Sequence, residues 1–204
     1  MKDQWYGDRR DLVKWGVLLE LACRFRASRV LQVRYYRPSV WEELEIDGES
    51  ISLPEAVVQH FRSVGNIRSL KAQVHIDVVD TPLDNRAEYL QGILNNIRLS
   101  SDRRTVVFLD PDTGLESQNP GPEHVLGCEV SSIWNAMPAG DVLVFYQHQT
   151  NRNAAPWIEP KRVQFEEALA VAPGTVKVAH GPKIARDVAF YFCQKDDPAT
   201  KRAG

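Results

Sequence analysis

Residues Thr105–Glu116 read TVVFLDPDTGLE, and this stretch decides the fold. Val106 to Leu109 are four strand formers without a polar break, the pattern of a strand buried on both faces. The run stops abruptly at Asp110-Pro111-Asp112-Thr113-Gly114. A proline that cannot donate to a ladder and a glycine that permits positive φ mark a sharp turn there. In open α/β sheets ligands bind in the crevice beyond the carboxyl ends of the strands. Asp110 and Asp112 stand at such an end, with Glu116 close by, so this turn is the first candidate for a site.

The segments on either side alternate helix and strand. Asp11 to Arg26 carries an apolar stripe at helical spacing, with Asp8 or Asp11 as N-terminal cap. Arg29 to Tyr36 is the first strand, and Asp47-Gly48 signals a small hairpin between Leu44 and Leu53. Pro54 opens a helix through Phe61. Ala72 to Val79 is the second core strand, and Asp84 caps a helix running to Leu99. Beyond the opening strand come a helical stretch over Val130 to Met137 and an apolar strand, Asp141 to Tyr146. That strand ends in polar residues that include His148. Lys161 to Ala170 is an amphipathic helix, and Thr175 to Ala179 with Asp187 to Gln194 read as antiparallel neighbours. This order predicts a Rossmann-like α/β fold: a mainly parallel sheet with an antiparallel last strand and helices on both faces. Residues 1–195 are expected to form one domain and 196–204 a flexible tail.

Composition narrows the function classes. The 204 residues are 43 % hydrophobic and 25 % charged with a net charge of −2, so no global field points to nucleic acid or membrane. No apolar run reaches the ~18–20 residues of a membrane helix, and the N-terminus lacks the apolar core of a signal peptide. Cys23, Cys128 and Cys193 form an odd, scattered set, read as reduced, buried thiols of a cytoplasmic protein. The sequence carries no signal for an oligomeric state.

The segment GDRRDLVKW, Gly7 to Trp15, followed by an apolar helix, resembles the N-terminal signature of a bacterial methyltransferase family. That family acts on the exocyclic amine (N6) of an adenine in large-subunit ribosomal RNA. Gly7, Asp11 and Lys14 match its signature at the same spacing, and Asp110-Pro111 match the start of its DPPY motif. The resemblance implies S-adenosylmethionine as cofactor, with Gly7, Asp8, Asp11, Lys14 and Tyr36 around the donor or substrate. It also implies that Asp110 accepts a hydrogen bond from the target nitrogen, beside Pro111, Asp112 and His148. The chain departs from the family in three places. Arg34-Tyr35-Tyr36-Arg37-Pro38 has no glycine where a donor loop needs one. Trp15 replaces a histidine, and Asp112-Thr113 replace the second proline and the aromatic residue.

Two other readings compete with methyl transfer. Asp110-x-Asp112 after an apolar strand resembles the DxDx(T/V) motif of phosphohydrolases. On that reading Asp110, Asp112 and Glu116, with Asp77 if the strands adjoin and His148 as a further ligand or base, hold Mg²⁺ for phosphoester hydrolysis. The third reading is a non-catalytic nucleotide- or partner-binding module on the same scaffold. Arg34, Arg37, Arg152 and Lys161 would form a basic rim for nucleic acid if they share one edge. Tyr35, Tyr36, Tyr146 and Trp157 would then serve as stacking surfaces.

Overall fold

The computed structural model describes residues 9–37, 43–46, 49–52, 67–68, 70, 73–99, 103–149 and 156–196. In chain order these residues form α1 (Arg9–Arg24), β1 (Arg29–Val33), β2 (Glu43–Ile46), β3 (Glu49–Ser52), β4 (His75–Val79) and α2 (Arg86–Arg98). Then come β5 (Thr105–Leu109), β6 (Gly114–Leu115), β7 (His124–Val125), α3 (Gly127–Ala136) and β8 (Val142–His148). The last are α4 (Ile158–Leu169), β9 (Lys177–Gly181) and β10 (Ala185–Gln194).

β5 is buried at every position because it lies inside a six-stranded sheet of order β4-β1-β5-β8-β10-β9. β4, β1, β5 and β8 are mutually parallel. β10 runs antiparallel to both β8 and β9, so the last strand of the chain is inserted before the last edge strand. The sheet is therefore mainly parallel with an antiparallel final strand, a Rossmann-like arrangement. The two apolar runs Val106–Leu109 and Val142–Phe145 are parallel neighbours, paired as Val106↔Val142 through Leu109↔Phe145.

Alternation along β5 divides the core in two. Val107 and Leu109 join a cluster with Tyr89, Ile93 and Ile97 of α2, Val130 and Ile133 of α3, and Phe165 of α4. Val106 and Phe108 join the opposite cluster with Val13, Leu18, Leu21 and Ala22 of α1. Helices thus cover both faces, as a two-sided apolar strand requires. Phe108, Phe145, Phe165 and Phe190 are wholly buried, each contributing roughly 1.5–3 kcal/mol of transfer free energy.

Several boundaries differ from the sequence reading. α1 begins at Arg9, so Asp11 lies within its first turn and does not cap it. β1 stops at Val33 and not at Tyr36, because Tyr35 takes a left-handed φ of 47° that ends the extended run. Asn85, not Asp84, caps α2: its Oδ1 accepts from the backbone N of Ala87 and Glu88 at 3.0 and 3.3 Å. Gln147 and His148 belong to β8, since β10 pairs with them. Cys23 and Cys128 are exposed and only Cys193 is buried, so the expectation of three buried thiols fails. β2 and β3 pair with Ile46 opposite Glu49, as the hairpin reading expects. The helix expected at 54–61 and the tail beyond 196 lie outside the described residues. Among the described residues no helix is long and apolar enough to cross a membrane.

At the amino edge of the sheet, Asp141 immediately precedes β8 and its Oδ1 accepts from Thr105 N at 2.9 Å. Burial raises its pKa from 3.8 to about 6, against the opposing effects of that bond and of Arg104, Arg29 and Lys195. A carboxyl group with a higher pKa folded than unfolded favours the folded state when protonated. Its contribution is complete below about pH 4 and is lost as pH rises through about 6. A shift of that size is worth on the order of 3 kcal/mol. Asp141→Asn keeps an acceptor for Thr105 without the charge. Urea unfolding across this range is expected to show a flatter pH profile for the variant, and a higher unfolding free energy than wild type near pH 7.

Candidate functional site

The carboxyl ends of β1, β5 and β8 and the amino end of the antiparallel β10 carry a row of polar side chains beneath one face of α1. Asp110 is the first residue past β5, and its backbone N donates to Val33 O of β1 at 2.8 Å. Its side chain is 1 % exposed, and Oδ2 accepts from Lys14 Nζ at 3.0 Å and Gln32 Nε2 at 2.7 Å. Lys14 reaches this point from α1 and lies 2.8 Å from Asp11 Oδ1, one turn earlier on the same helix. Its ammonium also stands 5.3 Å from the ring centroid of Tyr146 on β8. Burial alone would push the Lys14 pKa down, but Asp110 and Asp11 outweigh it and the net shift is upward. Lys14 is therefore a buried, charged tie between α1 and three strands.

One turn toward the helix start, Arg10 donates to Asp187 Oδ2 of β10 from Nε at 3.1 Å and from a terminal nitrogen at 2.6 Å. The same oxygen lies 3.3 Å from His148 Nε2 at the end of β8. The ladder fixes this pair, because Val188 faces His148 in register and Gln149 N donates to Asp187 O at 2.8 Å. Burial opposes ionisation of Asp187, yet Arg10, with His148 a lesser influence, holds its pKa below the ordinary value.

Beyond Val33 the chain turns through Arg34, Tyr35 and Tyr36. Tyr35 adopts the backbone handedness usually left to glycine, which bulky residues rarely take. Two contacts hold it: its N donates to Tyr89 Oη at 2.8 Å, and the two rings lie 5.4 Å apart. Arg34 is wholly buried, with its guanidinium 4.9 Å from the Tyr36 ring centroid. Burial lowers the Arg34 pKa, and the neighbouring Asp110 works against that shift. On the adjoining strand, Asp80 follows β4 with a half-exposed carboxylate paired to Arg68 at 3.0 Å.

Of the residues singled out in the sequence, Asp11, Lys14 and Asp110 converge, and Arg10 ties His148 to the same helix. Pro111, next in the chain, is buried. Gly7, Asp8 and Arg152 lie outside the described residues. The carboxylate cluster of the hydrolase reading does not form. Asp112 pairs with Arg37. Glu116 Oε1 accepts from Gly127 N at 2.7 Å at the start of α3, and Asp77 pairs with Arg29 at 2.6 Å toward the amino edge. Among the described residues no group of three or more His, Cys, Asp or Glu side chains could hold a metal ion. The basic rim also fails in part. Arg34 is buried, Arg37 is committed to Asp112, and Lys161 Nζ donates to the carbonyls of Leu115 and Glu116 at 3.3 Å each.

Gln32, Asp187, Asp80 and the pairing role of Arg10 escaped the sequence reading. A glutamine inside the apolar run RVLQV was the available signal for Gln32, since a buried amide needs a polar partner. Gly114 also proved specific: φ is 138°, and a Cβ there would sit 2.3 Å from the Gln147 side chain. The Gln147 amide in turn accepts from Leu115 N at 3.0 Å and donates to His148 O at 2.8 Å.

No protein-family model and no curated protein matches the chain. Among solved structures it is similar to a DUF574 family protein from Streptomyces avermitilis MA-4680, at 10 % identity and a TM-score of 0.46, over 92 % of this chain and 82 % of that one. It is also similar to a "putative methyltransferase" from Thermobifida fusca YX, at 14 % identity and a TM-score of 0.44, over 93 % and 80 % of the two chains. Both scores fall below 0.5, so the fold assignment rests on the strand order of this chain itself.

Removing one partner of a buried ion pair leaves an uncompensated charge and costs about 3–5 kcal/mol. Lys14→Met strands the Asp110 and Asp11 carboxylates in this way. Its unfolding free energy is expected to drop by that order in urea titrations. Adding Asp110→Asn to Lys14→Met is expected to recover part of the loss. A Lys14→Met protein as stable as wild type would contradict the role given to this tie.

Proposed function

We propose that this chain is an S-adenosylmethionine-dependent methyltransferase-like protein acting on a nitrogen of a nucleic-acid base. The observation that carries the reading is the sheet order. The chain goes from β1 outward to β4 and then returns to β5 on the other side of β1, so the switch point falls between β1 and β5. Ligands of open α/β sheets bind at the carboxyl ends of the strands at this point, and Asp110, Gln32 and Lys14 gather there. The inserted antiparallel last strand matches the arrangement of Rossmann-like methyltransferases and supports the reading.

The residues at the β1 exit fit the donor's nucleoside half. Tyr35 supplies the left-handed turn without glycine, and the Tyr36 ring is half-buried beside it. Asp80, ending the next strand, offers a carboxylate to ribose hydroxyls, which are hydrogen-bond donors. When bound, S-adenosylmethionine would supply an electrophilic methyl group. Asp110 Oδ1 accepts no hydrogen bond from a described residue and is the atom assigned to the N–H of the target nitrogen. Lys14 and Asp11 act from beneath by holding Asp110 in place.

Calorimetric titration of the full chain with S-adenosylhomocysteine tests the reading. Saturable one-to-one binding is expected, weakened about ten- to a hundredfold by Asp80→Asn through loss of a charge-assisted hydrogen bond. Asp112→Asn, which keeps an acceptor for Arg37, should leave binding unchanged. A wild type that binds neither S-adenosylmethionine nor its demethylated product at millimolar concentration would defeat methyl transfer.

A further inference from the structure

We propose that His148, held by Asp187, is the proton acceptor of this crevice, taking the proton that the target nitrogen loses on methyl transfer. The inference rests on the methyl-transfer reading and adds to it a residue role. Asp110 and His148 are the two proton acceptors to compare along the row, and their settings differ. Asp110 is 1 % exposed and its Oδ2 already receives Lys14 and Gln32, so a proton placed there has no route to solvent. His148 is 33 % exposed at its side chain and stands at the open end of the same row. Leu109 faces Phe145 in register, so Asp110 lies beside Tyr146, and His148 follows two residues on, about 7 Å farther along the same face.

The Asp187–His148 contact also sets which imidazole nitrogen is available. An ionised carboxylate only accepts, so on this proposal Nε2, at ion-pair distance of 3.3 Å from Asp187 Oδ2, carries the hydrogen. Nδ1 then keeps its lone pair, and it makes no hydrogen bond among the described residues. Arg10, from α1, keeps Asp187 ionised and in place, so Asp187 and Arg10 are positioning residues. Both strand ends are fixed by the β8–β10 ladder, which gives the rigid support such a pair requires.

The step balances. The nitrogen lone pair forms the new N–C bond while the S–C bond breaks, its electron pair going to sulfur. The nitrogen, now cationic, releases one proton to His148 Nδ1. The resulting imidazolium lies 3.3 Å from the Asp187 carboxylate, and its exposed edge returns the proton to solvent.

The test combines two readouts on the full-length protein. Imidazole ¹⁵N spectra, with His148→Gln used for assignment, should show His148 as a single Nε2–H tautomer in wild type and as a mixture in Asp187→Asn. With labelled S-adenosylmethionine and an unstructured adenine-containing oligoribonucleotide, His148→Gln should lose about 10²–10⁴-fold in rate, the usual worth of a general base. Its affinity for S-adenosylhomocysteine should not change. An identical tautomer in Asp187→Asn, or wild-type turnover by His148→Gln, would overturn the proposal. A wild type without S-adenosylhomocysteine binding would instead defeat the methyl-transfer reading, and the tautomer would still decide whether Asp187 holds His148.

Discussion

The ammonium of Lys14, buried between Asp11 and Asp110, is the constraint on which the carboxyl edge depends. A buried charge is tolerated only when it is paired and hydrogen-bonded. Here the pairing draws in α1, β1 through Gln32 and β5 through Asp110, and it places the ammonium near the Tyr146 ring of β8. Such a tie adds little net stability compared with an apolar replacement. Its effect is geometric: it sets the height of α1 over the strand ends and turns Arg10, one helical turn away, toward Asp187 and His148.

The same edge joins a closed half to an open half. Lys14, Gln32, Asp110 and Tyr146 are sealed, whereas Arg10, His148 and Asp187 retain a quarter to a third of their side-chain exposure. A sealed network holds its shape and so fixes Asp110 where the target nitrogen is assigned, while the groups at its open end meet solvent. The turn at Tyr35 follows the same logic. Its left-handed backbone costs on the order of 1–3 kcal/mol, and the Tyr89 hydroxyl and ring offset that cost from the far side of the sheet.

Much of the fold was legible because burial writes itself into strand composition. TVVFL and VLVFY are apolar without interruption, and they are neighbouring inner strands. The antiparallel end was visible in the alternation of the last two strands. The site was only partly legible. Asp110 and Lys14 were marked by their motifs, but Asp112 and Glu116 were misleading, since turn-forming and cap-forming carboxylates have the same composition as metal ligands. Arg34 and Arg37 resembled a basic rim because a sequence does not say which side chains fold inward. The Arg10–Asp187–His148 group spans 177 residues of chain, and only tertiary structure brings it together.

The central claim is that ligand enters where β1 and β5 end. Backbone amide spectra of the full chain during titration with S-adenosylhomocysteine test it most directly. The account predicts perturbations that cluster at Gln32–Arg37, Asp80 and Asp110, with Arg29, Thr105 and Asp141 at the opposite edge unmoved. Perturbations centred on that opposite edge, or none at saturating ligand, would contradict it.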